Sequence, residues 1–329
     1  MVTIKDVAKS ADLSVATVSR FLNQKGYVSE EAKLKIERAI TVLNYKPNQI
    51  ARSLSTKQSN LIGLIVPDIK NPYFPELARA IEDTAQQYDF TVVLCNADES
   101  MEKELLYIER LTQKYVAGLI VTTNLLDVSH YKKIDIPVVA LDRMIDPSIP
   151  TVATDNFEGA KIGTEYLIQC GAKKLVCLRG PSGLKPADDR LAGFLAAIKG
   201  EKEISYHIVE AGFDFHASAK AVEKILLELP DIDGLFASND TAAIAALKIA
   251  HKLGKVVPET FQIVGFDGIE MGTMVSPELT TVAQDIYQMG AIATKMLIDQ
   301  IKGKQIENRN LNVAAQLIVR GTTRKESSI

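Results

Sequence analysis

Little in this sequence invites covalent chemistry. Only three cysteines occur (Cys95, Cys170 and Cys177), an odd number without CxxC or zinc-like spacing, so neither a disulfide framework nor a structural metal site is indicated. They read as buried or incidental thiols of a reducing compartment. The four histidines (His130, His207, His216 and His251) are scattered, and none sits in a metal or catalytic motif. Gly63 and Gly118 lie inside apolar runs rather than in a phosphate loop, and no Walker motif or nucleophile elbow is present, which argues against an enzyme. No apolar run reaches the about 18 residues of a membrane span, and Met1-Val2-Thr3-Ile4-Lys5-Asp6 lacks the apolar core of a signal peptide. The expectation is a cytoplasmic protein with no metal, no cofactor and no membrane contact.

What is present begins at the amino terminus. Thr3-Ile4-Lys5-Asp6 is a capping-box-like start, and a helix follows from about Ile4 to Ala11 with Val7, Ala8 and Ala11 on one face. Asp12-Leu13-Ser14 forms a turn, and Ser14 caps a second helix from Val15 to about Asn23. Val18 and Leu22 point inward from it, while Val15, Ala16, Ser19 and Arg20 point out. Ser29-Glu30-Glu31 opens a third helix with Ile36, Ala39, Ile40 and Leu43 as its inner stripe. Residues 1–60 carry ten Lys and Arg against five Asp and Glu, a net +5 within a chain of net −3, so residues 61–329 carry −8. A basic end on an acidic body is the footprint of a phosphate-binding head.

Thr3-Ile4-Lys5-Asp6-Val7-Ala8, Leu13-Ser14-Val15-Ala16-Thr17-Val18-Ser19-Arg20, Asn44-Tyr45-Lys46-Pro47-Asn48 and Ala51-Arg52-Ser53-Leu54 closely resemble the lactose-repressor (LacI) family. The resemblance extends over essentially the whole chain. It implies a homodimer on double-stranded, pseudo-palindromic operator DNA, with the second helix in the major groove. By that resemblance Val15, Ala16 and Arg20 meet base edges, Arg20 being suited to a bidentate contact with guanine. Ser14, Thr17, Ser19 and Asn23 are placed for phosphates. Residues 47–54 would form a short hinge helix that folds only on DNA, with Ala51 in it and Leu54 wedged into the minor groove. One departure is Asp12, where the family usually has a turn glycine; a short polar side chain tolerates the left-handed conformation.

Beyond a polar linker ending near residue 60, apolar β-branched runs alternate with amphipathic stretches: Leu61–Val66, Phe90–Leu94, Gly118–Val121, Val138–Leu141, Leu175–Leu178, Gly234–Ala237 and Gln262–Phe266. The fold class expected is α/β, an all-α helix-turn-helix head on a periplasmic-binding-protein-like core of two doubly wound parallel-sheet subdomains. The boundaries expected are 1–46 for the head, 47–60 for hinge and linker, 61–156 plus about 287–317 for one subdomain, and 157–286 plus about 318–329 for the other. No leucine heptad at the end suggests assembly beyond the dimer.

Ligands of such sheets bind at the carboxyl ends of the strands, and polar or aromatic groups recur there: Asn71, Tyr73, Phe74, Asp142, Arg143, Arg190, Phe213, Asn239, Asp267 and Gln284. Aromatic plates with carboxylate, guanidinium and amide groups suit an uncharged polyhydroxylated ring. The set resembles the sugar-contacting residues of ribose-binding proteins and of ribose-operon regulators within the family. That implies Tyr73 and Phe74 stacked on one sugar face, Phe213 on the other, and the remainder holding hydroxyls. A purine effector would favour an aromatic in place of Arg143. A phosphorylated sugar would favour further cations, whereas two arginines here face two carboxylates. The reading is a repressor of a sugar operon, most simply ribose, released when sugar enters the cleft. Its alternatives are a repressor answering another sugar or a purine, and a catabolite-control regulator that takes a phosphorylated carrier protein as corepressor, on a patch such as Lys295, Lys302 and Lys304.

Overall fold

The computed structural model describes residues 2–23, 26–45, 59–123 and 125–325. Ala51, Leu54 and all of the hinge helix expected over 47–54 lie outside the described residues, as does the linker up to residue 58. The chain forms two compact units, residues 1–59 and 60–329.

Among the described residues the first unit contains three helices, α1 (Ile4–Ala11), α2 (Val15–Leu22) and α3 (Glu30–Leu43). Their starts are set locally. The Asp6 carboxylate accepts from the Thr3 backbone N–H at 2.8 Å and the Thr3 hydroxyl at 2.7 Å, while Ser14 and Ser29 accept from Thr17 N–H and Ala32 N–H. Asp12 closes α1 in the left-handed region (φ 55°), as its short side chain allows. Val7, Ala8, Ala11, Val18, Ala32, Ile36 and Ala39 join Val28 and Tyr45 in one small core.

The second unit holds two six-stranded sheets. The first runs β11-β5-β4-β3-β1-β2, from β1 (Leu61–Val66), β2 (Thr91–Asn96), β3 (Gly118–Val121), β4 (Val138–Leu141), β5 (Thr151–Thr154) and β11 (Asn310–Val313), all parallel. On one face lie α4 (Tyr73–Gln86) and α11 (Ile286–Ile301), and on the other α5 (Met101–Gln113) and the one-turn α6 (Val128–Tyr131). The second runs β12-β10-β9-β8-β6-β7, from β6 (Lys174–Arg179), β7 (Ser205–Glu210), β8 (Gly234–Ala237), β9 (Gln262–Asp267), β10 (Thr280–Ala283) and β12 (Gln316–Ile318). Only β12 is antiparallel to its neighbour. It is covered by α7 (Asn156–Gln169) and α8 (Lys185–Ile198) on one face and by α9 (Phe215–Glu228) and α10 (Asp240–Lys252) on the other. Continuous apolar strands such as β1 and β8 follow from burial on both faces.

The chain passes between the sheets three times: at Asp155 between β5 and α7, at Gln284 and Asp285 between β10 and α11, and between β11 and β12. The last passage comes slightly earlier than the expected 317, because Gln316 and Leu317 already pair with β10. Five strands were not expected as such: β5, β7, β10, β11 and β12. Among the described residues no helix is long and apolar enough to cross a membrane. Cys95, Cys170 and Cys177 are all buried.

Candidate functional site

A cavity of about 570 Å³ opens at the carboxyl ends of both sheets, within the second unit. All ten residues anticipated at strand ends line it: Asn71, Tyr73, Phe74, Asp142, Arg143, Arg190, Phe213, Asn239, Asp267 and Gln284. The fold explains the convergence. Asn71 to Phe74 follow β1, Asp142 and Arg143 follow β4, Asn239 follows β8, Asp267 ends β9 and Gln284 follows β10, so parallel strands deliver their carboxyl ends to one side.

Two of these residues hold unusual backbone. Asp142 has φ 70° and Asp267 has φ 114°, conformations that cost roughly 1–3 kcal/mol and persist only where neighbours fix them. Each turns a carboxylate into the cavity. The Asp267 carboxylate accepts from Gln284 Nε2 at 2.7 Å and faces Arg190 NH1 at 3.3 Å. Burial pushes the Asp267 carboxyl up to about 7 against the opposing pull of the Arg190 guanidinium. Arg190 is itself buried: Nε donates to Asn156 Oδ1 at 2.7 Å, NH1 donates to the Ser238 carbonyl, and the guanidinium lies 3.8 Å over the Phe266 ring. Its NH2 edge makes no hydrogen bond among the described residues and is available to a ligand.

The aromatic arrangement departs from the simple sandwich. Tyr73 and Phe74 stand edge to face at 90° with centroids 5.2 Å apart, so they cannot both lie flat on one face of a ring. One offers its face and the other an edge. Burial, with Asp142 and Asp267 adding to it, drives the Tyr73 phenol well above its ordinary value, so it remains a protonated donor. On the opposite lobe Phe213 packs against the backbone of Gly180, where an added Cβ would fall 2.4 Å from the ring. Asn239 stands behind it: Nδ2 donates to the Phe213 carbonyl at 3.1 Å, and Oδ1 caps α10 by accepting from Ala242 N–H at 2.8 Å. Asn239 thus spends much of its amide on positioning Phe213. Asn71 similarly accepts from Tyr73 N–H at 3.2 Å and shapes the turn into α4.

Several buried polar atoms have no partner among the described residues: the Tyr73 hydroxyl, Asp142 Oδ1, Ser238 Oγ and Gln284 Oε1. Such atoms are costly unless a ligand or water satisfies them. Three of the four residues line the cavity and supply a hydroxyl group and two acceptor oxygens, matched to an alcohol-rich ligand.

Charge at the mouth was underestimated from the sequence. Besides Asp142, Asp267, Arg143 and Arg190, the lining includes Asp68, Glu99 and Asp214 but only one further cation, Lys70. Five carboxylates against three cations oppose a phosphorylated ligand. Two further buried residues have roles that the sequence pattern does not show. Asn156 opens α7 and reads as an ordinary helix start. Asp240 reads as a first-turn acid, yet Oδ2 accepts from Gly268 N–H at 2.8 Å and Ile269 N–H at 2.9 Å, and Oδ1 from the Thr281 hydroxyl at 2.6 Å. It fixes the turn that presents Asp267. Burial, then the Asp267 charge, raise its carboxyl to about 8.

In the head, Val15, Ala16 and Arg20 are exposed on α2. Ser14 and Thr17 bond each other at 2.8 Å, and Asn23 Nδ2 donates to the Ser19 carbonyl at 2.8 Å, so these four polar residues also stabilise α2 itself.

Known proteins match both units. Residues 3–48 match the model of bacterial regulatory proteins of the lacI family, and residues 59–320 that of periplasmic binding proteins and the sugar binding domain of the LacI family. The ribose operon repressor of Halalkalibacterium halodurans is 49% identical over 324 residues, 98% of each chain. The lac repressor dimer, solved bound to operator and the anti-inducer ONPF, superposes with a TM-score of 0.87 at 27% identity, covering 98% of this chain and 99% of its own. A LacI family transcriptional regulator from Enterococcus faecium, solved with bound ribose, gives 0.74 at 28% identity over 80% of this chain and 98% of its own.

Proposed function

The chain belongs to the LacI family of bacterial regulatory proteins, and from that premise we propose that its effector is free ribose, bound in the cavity between the two sheets. It is a DNA-binding transcriptional repressor of a sugar-utilisation operon. The observation that carries the effector assignment is the chemistry of the cavity: aromatic rings, unpartnered buried oxygens and a net acidic lining. That combination fits a neutral polyol and opposes a phosphate. The relative with bound ribose and the ribose operon repressor support the same reading.

In this reading a cytoplasmic homodimer presents two copies of α2 to a pseudo-palindromic operator. Arg20, Val15 and Ala16 contact bases, and Ser14, Thr17, Ser19 and Asn23 contact phosphates. Ala51 and Leu54 belong to the segment that meets the minor groove. Ribose bridges Asp142 and Arg143 of one lobe to Arg190 and Asp267 of the other, draws the lobes together and weakens operator binding. Coupling of about 1–3 kcal/mol corresponds to roughly a 5- to 150-fold loss of operator affinity. Titrating the full chain on operator DNA with and without ribose tests this. Release supports it, and tighter binding reverses the sign of regulation.

A further inference from the structure

The cavity's central ion pair is wired to the segments on which the lobes must pivot. Asn156, the first residue of α7, sits where the chain first passes between the sheets, and Gln284 sits at the second passage. Asn156 Nδ2 donates to the Thr154 carbonyl at 3.1 Å, and its Oδ1 accepts from Arg190 Nε at 2.7 Å. Arg190 NH1 faces Asp267 Oδ1 at 3.3 Å, and the same oxygen accepts from Gln284 Nε2 at 2.7 Å. One chain of hydrogen bonds joined by an ion pair therefore runs from crossover to crossover through the cation and anion offered to the ligand. All four residues are buried, with 4–6% exposure.

Asn156 does not line the cavity, so it is not a ligand contact. We propose that Asn156 is a positioning residue that transmits the position of the Arg190 guanidinium to the first interlobe crossover. The inference rests on the ribose assignment. A sugar that engages the NH2 edge of Arg190 draws the guanidinium toward itself. The Asn156 amide is too deeply buried to exchange that partner for water, so the crossover follows instead. Through the shared Asp267 oxygen the second crossover is pulled in the same event.

The test uses the full chain with Asn156→Leu, Asn156→Ala and Asn156→Asp, measuring ribose affinity by calorimetry and operator affinity with and without saturating ribose. Leucine and alanine remove the acceptor, and aspartate keeps it. The expected result for Asn156→Leu and Asn156→Ala is about tenfold weaker ribose binding and, at saturation, an operator response reduced at least threefold. Asn156→Asp restores the response to within about twofold of wild type. A purely structural role would lower the melting temperature of all three and leave the response at saturation intact. If Asn156→Leu misfolds, the smaller Asn156→Ala carries the test. An unchanged response in a folded variant overturns the inference alone, whereas a wild type blind to ribose overturns the effector assignment and the inference with it.

Discussion

Gly180→Ala isolates the role of Phe213 with a single methyl group. The added Cβ would stand 2.4 Å from both Cε1 and Cζ of Phe213 and 3.2 Å from the Ala187 Cβ. Ordinary carbon–carbon contact is about 3.5–4.0 Å, so the ring must retreat by about 1 Å toward the cavity it lines. Its carbonyl is pinned by Asn239, so the movement falls on the side chain. A displaced ring forfeits a stacking contact worth about 0.5–1.5 kcal/mol beyond area burial, plus part of that burial, so ribose affinity should fall about tenfold. Overpacking also lowers stability by about 1–3 kcal/mol, which a melting curve reports separately. Calorimetry on the four corners of a double-mutant cycle with Phe213→Ala gives the decisive comparison. Once the ring is gone the methyl keeps, of these contacts, only the one at 3.2 Å with the Ala187 Cβ, so Gly180→Ala should cost less than twofold in that background. Full affinity in the single Gly180→Ala variant, or equal losses in both backgrounds, would refute the placement of Phe213 against the sugar.

Other outcomes follow from the same geometry. Asp142→Ala removes a half-buried carboxylate that faces the cavity; operator binding should persist and the response to ribose vanish, as read by DNA mobility shift with and without sugar. Arg20→Ala on the exposed face of α2 should cost about 1–3 kcal/mol on cognate operator and relax selection at one base position, measured with a set of single-base operator variants. Stability should depend on pH in the reverse of the usual carboxylate sense. Asp240 and Asp267 are raised to about 8 and about 7, so their protons are held more tightly folded than unfolded. Their contribution is full below the ordinary carboxylate range and is lost as pH rises through 7 to 8, with a slope of about 1 kcal/mol per pH unit while one of them titrates. The urea midpoint should be higher at pH 5.5 than at pH 8.5, and a midpoint that climbs with pH contradicts the burial argument.

The parts of the molecule legible from sequence are those governed locally. Caps at Thr3, Ser14 and Ser29 and the stripe Val7, Ala11, Val18 and Ile36 declare the head, because three short helices share one core with few distant contacts. β1, β3, β4 and β8 appear as unbroken apolar runs because both their faces are covered. β7 did not, since Ser205-Tyr206-His207-Ile208-Val209-Glu210 is an edge strand whose residues are mostly exposed. β5 is four residues of Thr-Val-Ala-Thr, made a strand only by its neighbours on either side. α11 is apolar around most of its circumference, which hides its period.

The site divides in the same way. Polar groups at strand ends announce themselves because strand direction fixes where they point. The roles of Asn156 and Asp240 depend on partners 34 and 28 or more residues away, and no local pattern encodes those pairings. Ring orientation at Tyr73 and Phe74 is likewise a packing outcome.

The most direct measurement is calorimetric titration of the full chain with ribose and, separately, with ribose 5-phosphate. Five carboxylates against three cations in the lining predict one ribose site per chain and no measurable binding of the phosphate. Tighter binding of the phosphate, or no heat with ribose at all, would contradict the assignment of this cavity to a neutral sugar.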